Sequence, residues 1–229
     1  MKKTLLIIPA YNEEESILSL VKEIENYPYD YIFINDCSTD STPEILRKNS
    51  INHVDLPANL GIGGAVQTGY IYAKENNYDI AIQVDGDGQH DIAYAQKLID
   101  KIAEGYDLVI GSRYIEKTDG FQSTIMRRVG IKWLSGVIKV FFRKKITDPT
   151  SGFRAAGRKT IELFCKNYPL DYPEPDSTSD CIKRGLKVTE VPVIMRERSG
   201  GVSSIRSFST IFYMIKVTLA LLIRSMYKE

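Results

Sequence analysis

The sequence predicts an α/β fold: a mostly parallel sheet flanked by helices and followed by a C-terminal amphipathic helix. Three observations predict it. Short β-branched runs alternate with stretches of helical spacing through the N-terminal half. Polar clusters follow several of those runs, at the carboxyl ends where open α/β sheets bind ligands. The length of 229 residues, with 43% hydrophobic and 26% charged residues, suits one domain that buries its own core. Cys37, Cys165 and Cys181 are odd in number and widely spaced, so they read as reduced thiols of a cytoplasmic protein.

Taken in order, Lys3–Pro9 is an apolar strand and Glu14–Tyr27 a helix through Ile17, Leu20, Val21 and Ile24. Tyr31–Asn35 is the next strand, and Ser41–Lys48 a short helix capped by Ser41 or Thr42. A strand near His53–Leu56 leads to a Gly-rich turn and a helix over Gly63–Asn76. Ile80–Val84, Ala93–Glu104 and Leu108–Ile110 continue as strand, helix and strand. Beyond them Thr124–Phe142 is amphipathic, Asp148–Arg154 a turn-rich loop, and Lys159–Asn167 a helix. Tyr172–Asp176 is Pro-rich, Ser177–Arg184 helical, Leu186–Met195 a strand, and Ser207–Tyr227 a final helix. No internal repeat interrupts this order.

Charge is divided between the halves. Residues 1–112 hold 8 Lys/Arg against 18 Asp/Glu, whereas residues 113–229 hold 22 against 11. An acidic half suits metal ions and a basic half suits phosphate or an anionic surface; solvated surface charge is the plainer alternative. The first apolar run is cut short by Pro9 and Asn12-Glu13-Glu14-Glu15, which excludes a signal peptide reading. Thr210–Ile223, broken by Lys216, falls short of the roughly 20 residues that span a bilayer.

The strongest local pattern is Asp85-Gly86-Asp87-Gly88-Gln89-His90 after the strand Ile80–Val84. Two carboxylates one glycine apart can face a single hard cation, Mg²⁺ or Mn²⁺, that bridges the phosphates of a nucleotide diphosphate. An unliganded acidic turn would look the same in isolation. Two further polar clusters, Pro9-Ala10-Tyr11-Asn12-Glu13-Glu14 and Asn35-Asp36-Cys37-Ser38-Thr39-Asp40, close the first two strands. Asn59-Leu60-Gly61-Ile62-Gly63-Gly64 opens a helix with glycines. Clusters at three strand ends imply a shared crevice.

With these motifs in this order, the chain resembles glycosyltransferase family 2, the inverting nucleotide-sugar transferases of the GT-A fold. Within it the sequence is most similar to dolichol- and polyprenyl-phosphate sugar transferases. The resemblance runs through IPAYNEEESI, INDCSTDST, NLGIGGAVQTGY, VDGDGQHD, GSRY, TDPTSGFRA and SGGVSSI. It implies a catalytic domain over residues 1–204, with 1–112 binding nucleotide and metal and 113–204 the acceptor. Residues 205–229 are left as the amphipathic helix. It also implies that Pro9, Tyr11, Glu13, Asp36, Gly61, Gly64, Asp85, Arg198 and Ser203 bind the nucleotide-sugar, and that Asp85, Asp87 and Gln89 hold the metal. Arg113 and either Arg127 or Arg128 would grip the acceptor phosphate, as guanidinium forks suit phosphate. Ser151 and Arg154 would join them, and Asp87, Arg113 and Arg128 would carry catalysis. Arg196, Arg198 and Ser203-Ser204 resemble a loop that closes over the diphosphate.

The expected reaction is transfer of a sugar, first from a UDP-sugar, to a polyprenyl phosphate in cell-envelope glycan synthesis. Transfer to a saccharide hydroxyl is the alternative and needs a base, Glu174 or Asp176. A sugar-phosphate nucleotidyltransferase is disfavoured, because Asn12-Glu13-Glu14-Glu15 is acidic where those enzymes place a basic loop. A non-catalytic scaffold would not need Asp85, Asp87 and Arg113. The last helix, with Trp133 and Arg143-Lys144-Lys145, suggests a peripheral protein on the inner face of the cell membrane, alone or on a small membrane partner. Packing in the core or in a homo-oligomer is the plainer use of that helix. No nucleic-acid partner is expected.

Overall fold

The structure, a computed structural model, describes residues 2–116, 125–196 and 207–226. Seven strands form one sheet in the order β3-β2-β1-β4-β6-β5-β7. They are β1 (Thr4–Ala10), β2 (Asp30–Asn35), β3 (His53–Asp55), β4 (Ile80–Gln83), β5 (Leu108–Ser112), β6 (Arg154–Gly157) and β7 (Val188–Pro192). All run parallel except β6, which lies antiparallel between β4 and β5. β1 is buried at all seven positions, as a central strand covered on both faces must be.

The helices are α1 (Ile17–Ile24), α2 (Thr42–Lys48), α3 (Gly61–Glu75), α4 (Ala95–Ala103), α5 (Ile125–Phe142), α6 (Arg158–Lys166), α7 (Pro173–Lys183) and α8 (Ser207–Met226). Alternation along the strands divides the core between the sheet's faces. Leu6, Ile8, Phe33 and Ile82 pack with residues of α1, α2 and α4. Leu5, Ile7, Ile34 and Ala81 pack with α3, α5, α6 and α8.

The sequence reading needs four corrections. β6 lies where a loop was expected to end. Its residues Arg154-Ala155-Ala156-Gly157 have little intrinsic strand preference, and pairing on both sides imposes the conformation. α7 begins at Pro173, not Ser177: Pro173 and Pro175 fall in the first turn, where the missing N–H groups have no helical partner anyway. α1 starts at Ile17, after a turn in which Glu13 O accepts from Ser16 N. Neither Ser41 nor Thr42 caps α2 through its side chain; Asp40 Oδ1 accepts from Thr42 N at 2.9 Å instead.

α3 is seated close because two glycines permit it. A Cβ on Gly63 would meet the backbone of Pro169 and Leu170, and one on Gly69 would overlap Ile7. α8 is docked, not free. Val217 and Leu221 are buried, Trp133 Nε1 donates to Thr218 Oγ1 at 3.0 Å, and Arg224 reaches Asp180 at 2.7 Å. No described helix is long and apolar enough to cross a membrane.

Candidate active site

The ends of β1, β2 and β4 lie side by side, and their loops are tied together. Asp36 N donates to Ala10 O at 2.9 Å, and Thr39 N donates to Asn12 Oδ1 at 2.8 Å. Glu13 N donates to Thr42 Oγ1, and Ser16 Oγ donates to Gly86 O at 2.7 Å. Gly86 must be glycine: a Cβ there would lie 2.9 Å from Pro9 O. The expected convergence of polar strand ends is therefore physical contact among the three loops. Asp36 is buried, and its Oδ1 accepts from Leu60 N at 2.7 Å, which fixes the glycine turn at α3. Gly61 there takes φ +72°, a left-handed conformation that suits glycine. Pro9 is buried at the end of β1, Glu13 is half-buried and Tyr11 exposed on this rim, while Gly64 is buried against Leu60.

The acidic turn is closed on itself. Asp87 is 4% exposed and its Oδ1 accepts from Gln89 N at 3.0 Å, whereas the Asp85 carboxylate is partly open. His90, buried and stacked on Phe153 at 4.9 Å, accepts from Asp85 N at 2.9 Å. Burial pushes its imidazole down to about 4; Asp87 pulls it up, Arg113 pushes it down and Asp148 pulls it up. Gly152 passes just over the turn, where a Cβ would stand 2.8 Å from Asp85 Oδ1. Room beside that oxygen thus depends on glycine.

Among the described residues no group of three or more His, Cys, Asp or Glu forms a complete metal cage. Two carboxylates on one tight turn nonetheless fit a hard cation that keeps waters and takes phosphate oxygens as its other ligands. Asp85 and Asp87 are the pair on this turn that could supply those carboxylates.

Arg113, at the end of β5, forks onto Asp148: Nε–Oδ2 is 2.6 Å and Nη2–Oδ1 2.8 Å. Asp148 is fully buried, and its loop is held by Glu190, whose carboxylate accepts from Thr147 N and Asp148 N. Burial pushes the Arg113 guanidinium down, but Asp148 above all, with Tyr114 and Asp85, pulls it up past its ordinary value. Beyond it, a pocket of about 230 Å³ is lined by Tyr114, Arg128, Ile131, Lys132, Ser135 and Thr147. Arg127 is exposed on α5 and Arg128 half-buried at the pocket, which separates two arginines that were both expected at the acceptor.

The family model for glycosyl transferase family 2 matches residues 5–164, a span holding all three strand-end clusters, the acidic turn among them. The chain belongs to this family. The family 2 chain is 28% identical to the polyprenol monophosphomannose synthase of Mycolicibacterium smegmatis, over 94% of this chain and 86% of that protein. It is 30% identical to the UDP-N-acetylglucosamine–dolichyl-phosphate N-acetylglucosaminyltransferase of Methanococcus voltae, over 82% and 83%. In fold it is similar to glucosyl-3-phosphoglycerate synthase from Mycobacterium tuberculosis, solved with Mn²⁺, UDP and phosphoglyceric acid. That likeness has a TM-score of 0.72 at 19% identity and covers 100% of this chain and 80% of the other. The fold is the GT-A fold, as expected.

For this family 2 transferase two expected acceptor contacts need correcting. Arg154 is completely buried, donating to Ser151 O at 2.8 Å, Ser177 Oγ at 2.9 Å and Glu174 O at 3.2 Å. Ser151 is 1% exposed. Neither presents a surface to an acceptor; Arg154 instead joins β6 to the start of α7. Of the two bases considered, Asp176 is held by Arg224, whose Nη2 donates to Oδ2 at 3.0 Å, so it is tied to α8. Glu174 is half-buried, and burial pushes its carboxyl up against the pull of Arg154. Arg196 pairs with Glu23 at 2.6 Å and Asp91 at 2.9 Å. Arg198, Ser203 and Ser204 lie outside the described residues.

Sequence reasoning passed over His90 and Asp148 as side chains with roles. Both stood inside quoted motifs, VDGDGQHD and TDPTSGFRA, which was the available signal. Asp148 meets Arg113 across 35 residues, a separation that no local spacing rule covers.

Proposed function

We propose that this chain transfers a sugar from a nucleotide-sugar to a polyprenyl phosphate at a membrane surface, with inversion at the anomeric carbon. One observation carries the reading: the pocket beside Arg113 has an apolar wall at Ile131 and cationic walls at Arg128 and Lys132. That combination suits a phosphate ester with a hydrocarbon tail. The names of the two relatives, a polyprenol and a dolichyl phosphate transferase, support it.

In this reading Pro9, Tyr11, Glu13 and Asp36 surround the nucleotide, and Asp85 and Asp87, with Gln89 adjoining, hold Mg²⁺ or Mn²⁺. The bound cation supplies neutralisation of charge on the departing diphosphate. Arg113 and Arg128 orient the acceptor phosphate, whose oxygen forms a bond to the anomeric carbon as the nucleotide diphosphate leaves with the bonding electrons. A phosphate is ionised at neutral pH, so no residue has to remove a proton. UDP-N-acetylglucosamine and UDP-glucose are the first donors to test, and dTDP-rhamnose the outlier. Incubation with short polyprenyl phosphates and Mn²⁺ should release UDP and form a glycolipid. Pyrophosphate release would point to nucleotidyl transfer, and tight nucleotide binding without turnover to a scaffold.

The membrane side rests on two helices. Met126, Val129, Trp133 and Val140 form an exposed stripe on α5, and Ile215, Leu219, Ile223 and Met226 form another on α8. Arg143, Lys144 and Lys145, all exposed, follow α5. Apolar stripes next to basic residues suit an anionic bilayer surface, as on the inner face of a cell membrane. The protein should float with vesicles containing anionic lipid, and Trp133→Glu should reduce the bound fraction severalfold. Absence of flotation, with and without lipid acceptor, would remove the membrane claim.

A second reading, transfer to a sugar hydroxyl, is favoured by Glu174 alone: its raised carboxyl senses Asp85 electrostatically. Glu174→Gln separates the two. Transfer to phosphate should fall less than about tenfold, whereas transfer to a hydroxyl that needs a base should fall by about 100-fold or more.

A further inference from the structure

The DGDGQH turn is fastened at its last residue by a ring that touches its first. His90 is 2% exposed, and Asp85 N donates to its Nδ1 at 2.9 Å. A nitrogen that accepts a hydrogen bond carries no proton, so the ring hydrogen of neutral His90 resides on Nε2. That Nε2 lies 3.5 Å from Asp85 Oδ2. One imidazole therefore accepts from the backbone of Asp85 and brings its Nε2 close to the carboxylate of the same residue.

The ring itself cannot drift. It stacks on Phe153 with planes 23° apart. His90 also bridges to Met195 in antiparallel fashion, and Arg196 N donates to Gln89 O at 2.9 Å. The segment after β7 thus clamps the turn from outside, while Phe153, at the entry to β6, supports the ring from within. None of these contacts would be needed for an acidic turn that merely faced solvent.

We infer that His90 is a positioning residue for the cation-binding turn: it holds Asp85 by backbone and side chain beside Asp87, without itself being a ligand. The inference rests on the metal reading of Asp85 and Asp87 given above. Residues that orient a metal ligand from behind commonly change metal affinity 10–100-fold when removed.

Two variants divide the ring's contacts. In His90→Asn the side-chain oxygen takes the place of Nδ1 and still accepts from Asp85 N, but nothing reaches Oδ2. In His90→Phe the stacking on Phe153 is kept and both polar contacts are lost. Mn²⁺ affinity is read by electron paramagnetic resonance in the presence of UDP, and thermal unfolding is read without metal. Mn²⁺ binding should weaken roughly tenfold or more in His90→Asn while its metal-free melting temperature stays near that of the wild type, and weaken further in His90→Phe.

Equal Mn²⁺ affinity in His90→Asn and wild type overturns the inference. So does a lowered melting temperature with unchanged affinity in the folded fraction, the signature of a histidine that only packs. If His90→Phe does not fold, His90→Asn alone decides. Wild-type protein that binds no Mn²⁺ with UDP removes the metal reading itself, and this inference with it. Asp87→Asn, which should lose Mn²⁺ whether or not His90 matters, tells that failure apart from failure of the histidine.

Discussion

Asp87→Ala should lower kcat/KM for sugar transfer by at least about 1000-fold, equivalent to roughly 4 kcal/mol of transition-state stabilisation. The size of the effect follows from where the residue sits. Asp87 is almost fully enclosed, and Gln89 N occupies its Oδ1, so its orientation is set by the turn and not by chance. In the proposed reaction, charge on a departing nucleotide diphosphate is met at that edge of the sheet by the cation that this carboxylate would hold. Asp87→Asn keeps the shape and the hydrogen bond to Gln89 N but removes the negative charge, so it should lose nearly as much activity. Metal-free unfolding of both variants should stay close to wild type. UDP release on addition of donor, acceptor and Mn²⁺ measures the first effect. Activity within tenfold of wild type for Asp87→Asn would falsify the assignment of this carboxylate to the metal.

Asp148→Ala should destabilise the protein by about 3–5 kcal/mol, because it leaves the Arg113 guanidinium enclosed without its partner. The pair is bidentate, with 2.6 and 2.8 Å contacts, and Asp148 has no exposure at all. In a chain of this length such a loss corresponds to a fall of roughly 10 °C in melting temperature. The double variant Arg113→Met with Asp148→Leu should recover part of it, since removing both charges leaves neither one stranded. Activity should not recover, because Arg113 is also the arginine proposed to orient the acceptor phosphate. A loss below about 1 kcal/mol in Asp148→Ala would show that the fork contributes little and that Arg113 finds other partners.

These two residues also show what reading the chain alone can and cannot reach. The acidic turn of Asp85 and Asp87 was legible because a turn is a local object: Gly86 and Gly88 let the backbone bend between and beyond the two carboxylates. That the loops carrying Pro9, Tyr11, Glu13 and Asp36 meet was legible for a related reason. The carboxyl ends of parallel strands share an edge whatever the loops contain, and the contacts from Ala10 to Asp36 and from Ser16 to Gly86 follow from that geometry. Arg154 was placed at the acceptor by the family resemblance alone, whereas β6 threads between β4 and β5 and carries it into the interior.

The amino-acid sequence by itself determined the alternation of strands and helices, the acidic turn, the glycine turn that opens α3, and the family. All of these depend on neighbours within a few residues, where hydrophobic period and backbone freedom act directly. Only the tertiary structure decided that β6 is antiparallel, that Arg113 is anchored by Asp148, that Asp176 belongs to Arg224, and that Arg128 rather than Arg127 lines the pocket. Each of those is a pairing between groups far apart in the chain. Buried charges must find a partner of suitable geometry, and which partner arrives is fixed by the packing of whole elements, not by spacing along the backbone.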